Sequence, residues 1–348
     1  MSAHEQAITP IPMSWVGPIR ISGNAAEGEI EVPLATYESP LWPSVGRGAK
    51  ISRMIDGGIR VTHLDQRMTR SVLFVADTAA DAATATAVIA SRYDDLVAVV
   101  AGQSRFAQLI ELHPEQVGNL LYLRFALRTG DASGHNMVTA AADRLMETIL
   151  SWGLPLQYGS VSGNFCSDKK ATGVNGVLGR GHNVVAEIVI PHQIVHERLR
   201  STAEKITDLV VRKDLVGSIA AGALRSANAH FANMLLGIYL ATGQDAANIV
   251  EGSQGTTYAE AREEGLYFST TLPNVIVGTV GNGKDLPHVE EALTRIGCRE
   301  AREPGANSAR LAALTAATVL CGELSLLAAQ TNPGELMSTH TLMERKRA

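Results

Sequence analysis

Ser71-Val72-Leu73-Phe74-Val75 opens the stretch that decides the fold, and it is followed at once by the alanine-rich Thr78–Arg92. Val72–Val75 reads as a buried strand and Thr78–Arg92 as a helix. A strand fits Ala107–Leu112, and a clearer one fits Leu120–Leu127. In Asn136–Trp152 the apolar residues Val138, Ala141, Ala142, Leu145, Ile149 and Trp152 recur at helical spacing, and Gly153 ends the run. Leu156–Val161 supplies a closing strand. The order strand, helix, strand, strand, helix, strand is the split βαβ pattern of a ferredoxin-like module. The expectation is an α+β chain in which residues 71–160 are a small domain inserted into a large, helix-rich domain made of 1–70 and 161–348.

Outward from that module the texture is mixed. Residues 1–35 read as an extended entry punctuated by Pro10, Pro12, Pro18 and Pro33, and a helix is expected at about Trp42–Ile55. Beyond residue 160 a strand fits Val184–Ile190, and helices fit His192–Ile206, Ser218–Ala241 and Asn307–Ala329. The last residues, Glu344–Ala348, are charged and read as a mobile tail. The chain has 348 residues, enough for a sizeable core and two domains. A formal net charge of −5 argues against nucleic acid as a partner. The 3 cysteines, Cys166, Cys298 and Cys321, form no paired motif, which points to a reducing compartment. The apolar run Leu311–Ala329 is interrupted by Glu323, so a buried helix is expected there rather than a membrane span. A soluble, cytoplasmic protein is the resulting expectation.

Chemistry concentrates in Ser162-Gly163-Asn164-Phe165-Cys166-Ser167-Asp168-Lys169-Lys170, a small polar loop between apolar segments. A charged cluster in that setting is costly unless its charges pair, so it is expected to face a cleft, where a lysine can polarise a carbonyl. Gly130-Asp131-Ala132-Ser133-Gly134-His135-Asn136-Met137 joins a strand to a helix. Such a turn suits a dinucleotide pyrophosphate, although it lacks GxGxxG, and plain helix capping by Asp131 or Ser133 is the simpler reading. Gly278-Thr279-Val280-Gly281-Asn282-Gly283-Lys284-Asp285 fits GxxxxGK, so a nucleotide-binding P-loop centred on Lys284 is an alternative function. Against it, Asp285 stands where a magnesium-binding Ser or Thr belongs, and too little chain follows for the rest of such a sheet. Glu38, in a proline-bounded apolar segment, reads either as a buried acid with a raised pKa or, taken alone, more simply as a helix-start charge. Asp245 alone reads as a helix cap, and His340 as a group near the tail. No metal-ligand spacing is visible, and no metal is expected.

Taken together, Pro33–Glu38, Ser162–Lys170, Gly243–Ala247, Gly278–Gly281 and Ser338–His340 resemble, in order, motifs of the 3-hydroxy-3-methylglutaryl-coenzyme A reductase family. The resemblance runs from about Val16 to Arg345 and is to soluble, catalytic-domain-only, NADPH-using members. It implies reduction of a thioester, a small-molecule substrate, to mevalonate and free coenzyme A, and it implies four catalytic residues. Lys169 would stabilise the oxyanion, His340 would protonate the leaving thiolate, and Glu38 would give a proton to the aldehyde-level oxygen. Asp245 would hydrogen-bond both Glu38 and Lys169. It further implies substrate contacts from Arg70, Ser162, Asp168, Lys170, Lys213, His230 and Asn233, the last two expected at an i,i+3 spacing on one helix. Cofactor contacts would come from Ser104, Arg105, Asp131, Gly134, Asn136 and Met137. Ser104-Arg105-Phe106 resembles the segment that holds a 2′-phosphate, which favours NADPH over NADH. Ser133 and His135 depart from the family's usual methionines, and Ser39-Pro40 departs from its usual glycine-bearing sequence. A homodimer or homotetramer with the site between subunits is also implied, with no membrane and no nucleic acid as partner.

Overall fold

The computed structural model describes residues 8–344, with the side chains at 339, 340 and 342–344 outside that description. The strands are β1 (Met13–Gly23), β2 (Gly28–Ala35), β3 (Ile59–Ala76), β4 (Gln108–Val117), β5 (Leu120–Arg128), β6 (Leu156–Ser160), β7 (Gly181–Pro191), β8 (Ser226–Ala227), β9 (Gly255–Arg262) and β10 (Gly265–Val275). The proline-punctuated entry is thus an antiparallel pair, β1 with β2. β3 is the spine of the molecule. Its first half lies between β1 and β7 in a sheet ordered β2-β1-β3-β7-β10-β9-β8. Its second half pairs antiparallel with β5 and β6, and β4 adds to β5, so that β6, β3, β5 and β4 follow in order. β3 therefore runs unbroken across position 70.

Two hydrophobic cores flank this spine. In β7, Val184, Ala186, Ile188 and Ile190 are buried on one face by strict alternation. They join the core built around the helix Ala306–Gln330, which also takes in α1 (Leu41–Ser52) and the helix Phe231–Ala241. Each leucine or phenylalanine buried there contributes about 1.5–3 kcal/mol of transfer free energy. Ala306–Gln330 is long and apolar enough to cross a membrane, yet 94% of its most apolar window is buried inside the fold. It is a core helix, as the interruption by Glu323 led us to expect. The second core combines Val72 and Phe74 of β3 with Leu121, Leu123 and Phe125 of β5. It is closed by α2 (Ala79–Ser91), α3 (Tyr93–Gln103) and α4 (His135–Leu150). Thr78 starts α2 by accepting the Asp81 N–H at 3.1 Å.

Two expected helices are broken. The His192–Ile206 run widens to a π-turn over Val195–Leu199, stops at Arg200 in the left-handed region, and restarts at Ala203–Leu209 with Thr202 as its cap. The Ser218–Ala241 run ends near Ala220 and resumes only at Phe231–Ala241. Between them Gly222 and Arg225 take positive φ, the Gln254 amide holds the Leu224 carbonyl at 2.9 Å, and β8 pairs with β9. Tertiary pairing overrides the helix propensity of the alanine-rich segment here.

Candidate active site

The lysine loop is held in a conformation its residues do not choose alone. Asn164, Ser167 and Lys169 all have positive φ, which costs non-glycine residues conformational energy. The loop is tied down by Gly163 N–H to Ser71 O (2.7 Å), Asn175 Nδ2 to Ser167 O (3.0 Å) and Lys169 N–H to Glu251 Oε1 (3.0 Å). Glu251 is fully buried and pairs with Arg180, 1% exposed, at 2.8 Å. Arg180 also pairs with Asp168 at 2.9 Å. Behind the loop, then, a buried carboxylate and guanidinium fix both its backbone and its acid. Neither Arg180 nor Glu251 stood out in the sequence. The available signals were an arginine between two glycines at the start of a strand, and an acid between Val250 and Gly252.

The Lys169 ammonium meets Asp245 Oδ2 at 2.8 Å. The hydrogen bond to Asp245 raises the lysine's pKa, so it stays charged. Burial pushes the Asp245 pKa up, but the Lys169 hydrogen bond and the Ala247 N–H outweigh it and leave it lowered. Asp245 also caps the short turn Ala246–Asn248. Both side chains line a cavity of about 550 Å³ together with Arg70, Asp168, Arg180 and the turn 132–139.

That turn is the second wall. Gly134 adopts φ 90° and starts α4 with no side-chain cap. The expected capping by Asp131 or Ser133 does not occur, because Asp131 Oδ1 accepts the Ser308 N–H at 2.9 Å and so serves the helix Ala306–Gln330 instead. The first N–H groups of α4 are left without a capping side chain beside the cavity, the arrangement that receives an anionic phosphate group. The glycine-rich segment packs directly behind: Thr279 N–H reaches Asp131 O at 2.8 Å, and a Cβ on Gly278 would come within 2.3 Å of Ser133 N. His135, in the cavity wall, is neutral. Its pKa is lowered to about 4 by burial and then by Arg180, against the opposing pull of Asp168 at 3.8 Å.

Gly278–Lys284 is not a P-loop. Lys284 is buried, donates to the Gly243 carbonyl, and is pushed down to about 8 by burial and by Arg299. Gln244 stitches the same two segments, donating to Gly278 O at 3.0 Å and accepting Gly278 N–H at 2.9 Å. The segment is a strut between the 130–137 turn and the Asp245 loop, not a phosphate cradle around its lysine.

The remaining expected residues are spread over several parts of the molecule. Arg70, Gly134, Asn136 and Met137 line the main cavity with Asp168, Lys169 and Asp245, and Asp131 stands behind it. Ser162 and Lys170 are exposed on the lysine loop, and Lys170 Nζ folds back on Asp168 O at 3.1 Å. Ser104 and Arg105 lie after α3, where Ser104 Oγ accepts the Phe106 N–H at 3.2 Å and Arg105 stacks on Phe106; neither lines the cavity. Glu38 is exposed two residues before the Pro40 cap of α1, the place of a helix-start charge and not of a buried acid, and no hydrogen bond joins it to Asp245 among the described residues. It lines a separate cleft of about 130 Å³ with Arg47 and His230. His230 is the N-cap of Phe231–Ala241 and not on it, with Asn233 N–H bonded to its carbonyl at 3.0 Å. Lys213 pairs with the buried Asp214 at 3.2 Å. His340 falls in the helix Glu335–Glu344, and its side chain lies outside the described residues.

The profile of the family described as hydroxymethylglutaryl-coenzyme A reductase matches residues 5–345. A protein of Aeropyrum pernix named 3-hydroxy-3-methylglutaryl-coenzyme A reductase is 43% identical over 337 residues, 96% of this chain and 79% of that protein. One of the same name from Pyrococcus abyssi is 44% identical over 325 residues, 92% of this chain and 79% of its own. Among solved structures, the class II reductase of Streptococcus pneumoniae bound to NADPH in open conformations superposes with a TM-score of 0.74. It covers 95% of this chain and 88% of its own at 21% identity, a likeness of mixed α+β fold. By the extent of these matches, this chain belongs to the hydroxymethylglutaryl-coenzyme A reductase family.

Proposed function

We propose that this protein reduces 3-hydroxy-3-methylglutaryl-coenzyme A to mevalonate and free coenzyme A. The observation that carries the reading is the Lys169–Asp245 pair, 2.8 Å apart, in one cavity with the uncapped start of α4. The overall reaction consumes two NADPH and two protons per thioester and releases one thiol. NADPH supplies the hydrides when bound. Gly134, Asn136 and Met137 would hold it at the α4 N-terminus, and Ser104 with Arg105 would meet its 2′-phosphate, which favours NADPH over NADH. The module 71–160, with its β6-β3-β5-β4 order, is a ferredoxin-like insertion that carries these contacts.

Lys169 holds its proton because Asp245 faces it, so a full positive charge stands ready for the oxyanion formed when hydride reaches the carbonyl. Arg70, Asp168 and Lys170 orient the hydroxymethylglutaryl group from the same side, with Ser162 at the loop's edge. Glu38 supplies the aldehyde-level oxygen with its proton. His340 protonates the coenzyme A thiolate, whose thiol has a reference pKa of about 8.5. Glu38 and His230 line a cleft apart from Lys169, and Lys213 pairs beside them, which supports a homodimer or homotetramer whose site is completed across a subunit interface. A steady-state assay with both nicotinamide cofactors and thiol detection, run in both directions, tests the reading. Substrate-dependent NADPH oxidation is expected, and no turnover with either cofactor overturns it.

A further inference from the structure

Glu323 is the acid that interrupts the apolar helix Ala306–Gln330, and it is 0% exposed. It accepts four hydrogen bonds: from Ala229 N–H (2.9 Å), His230 N–H (2.7 Å), the His230 ring at Nδ1 (2.7 Å) and Thr257 Oγ1 (2.9 Å). Burial pushes its pKa up, but the bonds and charge from His230 and the two backbone N–H groups outweigh it, so the group remains a carboxylate. A carboxylate only accepts, so the proton on the facing ring nitrogen belongs to His230. That leaves Nε2. It forms no hydrogen bond within the described chain, and it is not among the buried unpartnered atoms although His230 is only partly exposed. It is therefore the ring atom open to the cleft that His230 lines with Glu38, Arg47 and Ser325. Other charges near this cluster are Lys213, the buried Asp214, and Glu335, which pairs with Arg47 at 3.1 Å.

We propose that Glu323 is a positioning residue that locks His230 in its Nδ1–H tautomer, so that the Nε2 lone pair is presented to the Glu38 cleft as the acceptor for an alcohol proton of the ligand. Resting on the function proposed above, that alcohol is the tertiary hydroxyl of the hydroxymethylglutaryl group. A buried carboxylate that only capped the helix Phe231–Ala241 would need the two backbone N–H groups and not the ring. The ring contact is what couples this core glutamate to a ligand.

The test begins with the wild-type protein. Proton–nitrogen correlation spectra of its histidine rings, followed into the alkaline range, are expected to show His230 protonated at Nδ1 and bare at Nε2; protonation at Nε2 alone overturns the inference with no mutant needed. The second arm compares hydroxymethylglutaryl-coenzyme A with 3-methylglutaryl-coenzyme A, which lacks only the hydroxyl, by competition binding. The wild type is expected to favour the hydroxylated ligand by about ten-fold, the worth of one buried hydrogen bond. His230→Asn keeps a donor for Glu323 but has no atom in the place of Nε2, and it is expected to bind the two alike with its fold intact. Equal discrimination by His230→Asn and wild type overturns the assignment. Glu323→Gln is expected to raise KM for the hydroxylated substrate while kcat falls less, and Thr257→Val, which leaves the carboxylate in place, is expected to keep the tautomer. A wild type that shows the Nδ1–H tautomer but does not turn over the thioester would reject the proposed function and leave the positioning of His230 standing.

Discussion

Arg180→Met removes a guanidinium that serves two carboxylates at once. Arg180 meets Glu251 at 2.8 Å and Asp168 at 2.9 Å, and the Arg180–Glu251 pair is 1% and 0% exposed. Deleting one partner of a buried pair costs about 3–5 kcal/mol, because the other charge stays behind without compensation. At roughly 2.1 cal/mol/K of unfolding entropy per residue, a chain of 348 residues loses about 4–7 °C of melting temperature. The deficit depends on pH with a definite sign. Burial raises the Glu251 pKa, and Arg180 is the first force opposing it, so without Arg180 the pKa rises further. A carboxyl whose folded pKa lies above its unfolded value binds more protons when folded, so its penalty is full above the folded pKa and fades as pH falls toward about 4.3. Thermal unfolding followed by near-ultraviolet circular dichroism is therefore expected to show the largest gap from wild type near neutral pH and a smaller one in mild acid. Arg180→Met with Glu251→Gln is expected to recover a large part of the loss, since the stranded charge is gone. A single variant that melts with wild type at neutral pH, or a deficit that does not change with pH, would refute the reasoning. The same variant frees Asp168, next to Lys169 on the loop, from its 2.9 Å partner, so kcat is expected to fall with stability.

Three further outcomes follow from the walls of the cavity. Gly278→Ala places a methyl 2.3 Å from Ser133 N, so KM for the cofactor is expected to rise several-fold, with about 1–3 kcal/mol of overpacking visible in urea unfolding. Asp245→Asn keeps the shape and removes the charge that raises the Lys169 pKa, so the alkaline limb of the kcat profile is expected to move to lower pH. Lys284 is buried and depressed to about 8 from an ordinary value near 10.5, so wild type gains stability as pH rises through that interval. Lys284→Met has no such gain, and its melting temperature relative to wild type is expected to fall between about pH 7 and 10, with up to roughly 3 kcal/mol at stake.

The second core was largely readable, because α4 and β5 carry strong periodicity. Val138, Ala142, Leu145 and Ile149 recur at helical spacing, and all four are buried. The first half of β3 was missed because Arg60, His63, Asp65, Gln66 and Arg67 break any apolar run; its pairing with β7 shifts register between His63 and Asp65. β9 and β10 hid for a related reason. Thr257, Ser269 and Thr270 are buried hydroxyl residues in the middle of the sheet, and hydroxyls read as loop when taken alone. In the proposed site, Lys169 and Asp245, which meet at 2.8 Å, carry local motifs. The groups that hold them do not. Arg180 and Glu251 lie 71 residues apart and Glu323 lies 94 from Ala229, and no window of sequence contains such a pair. Of the two readings of Glu38 the helix-start charge holds: its apolar flanks pack inward and leave the carboxylate at the surface.

The central claim is that the Lys169 ammonium, held by Asp245, supports hydride transfer first to a thioester carbonyl and then, after the thiol has left, to the resulting aldehyde. Its most direct measurement is the ratio of NADPH oxidised to coenzyme A thiol released, in wild type and in Lys169→Ala. Wild type is expected to consume two NADPH per thiol. Lys169→Ala is expected to lose about 10²–10³-fold in kcat, the cost of one oxyanion-stabilising group. A Lys169→Ala enzyme that keeps wild-type kcat, or a wild type that releases thiol without oxidising NADPH, would contradict the account.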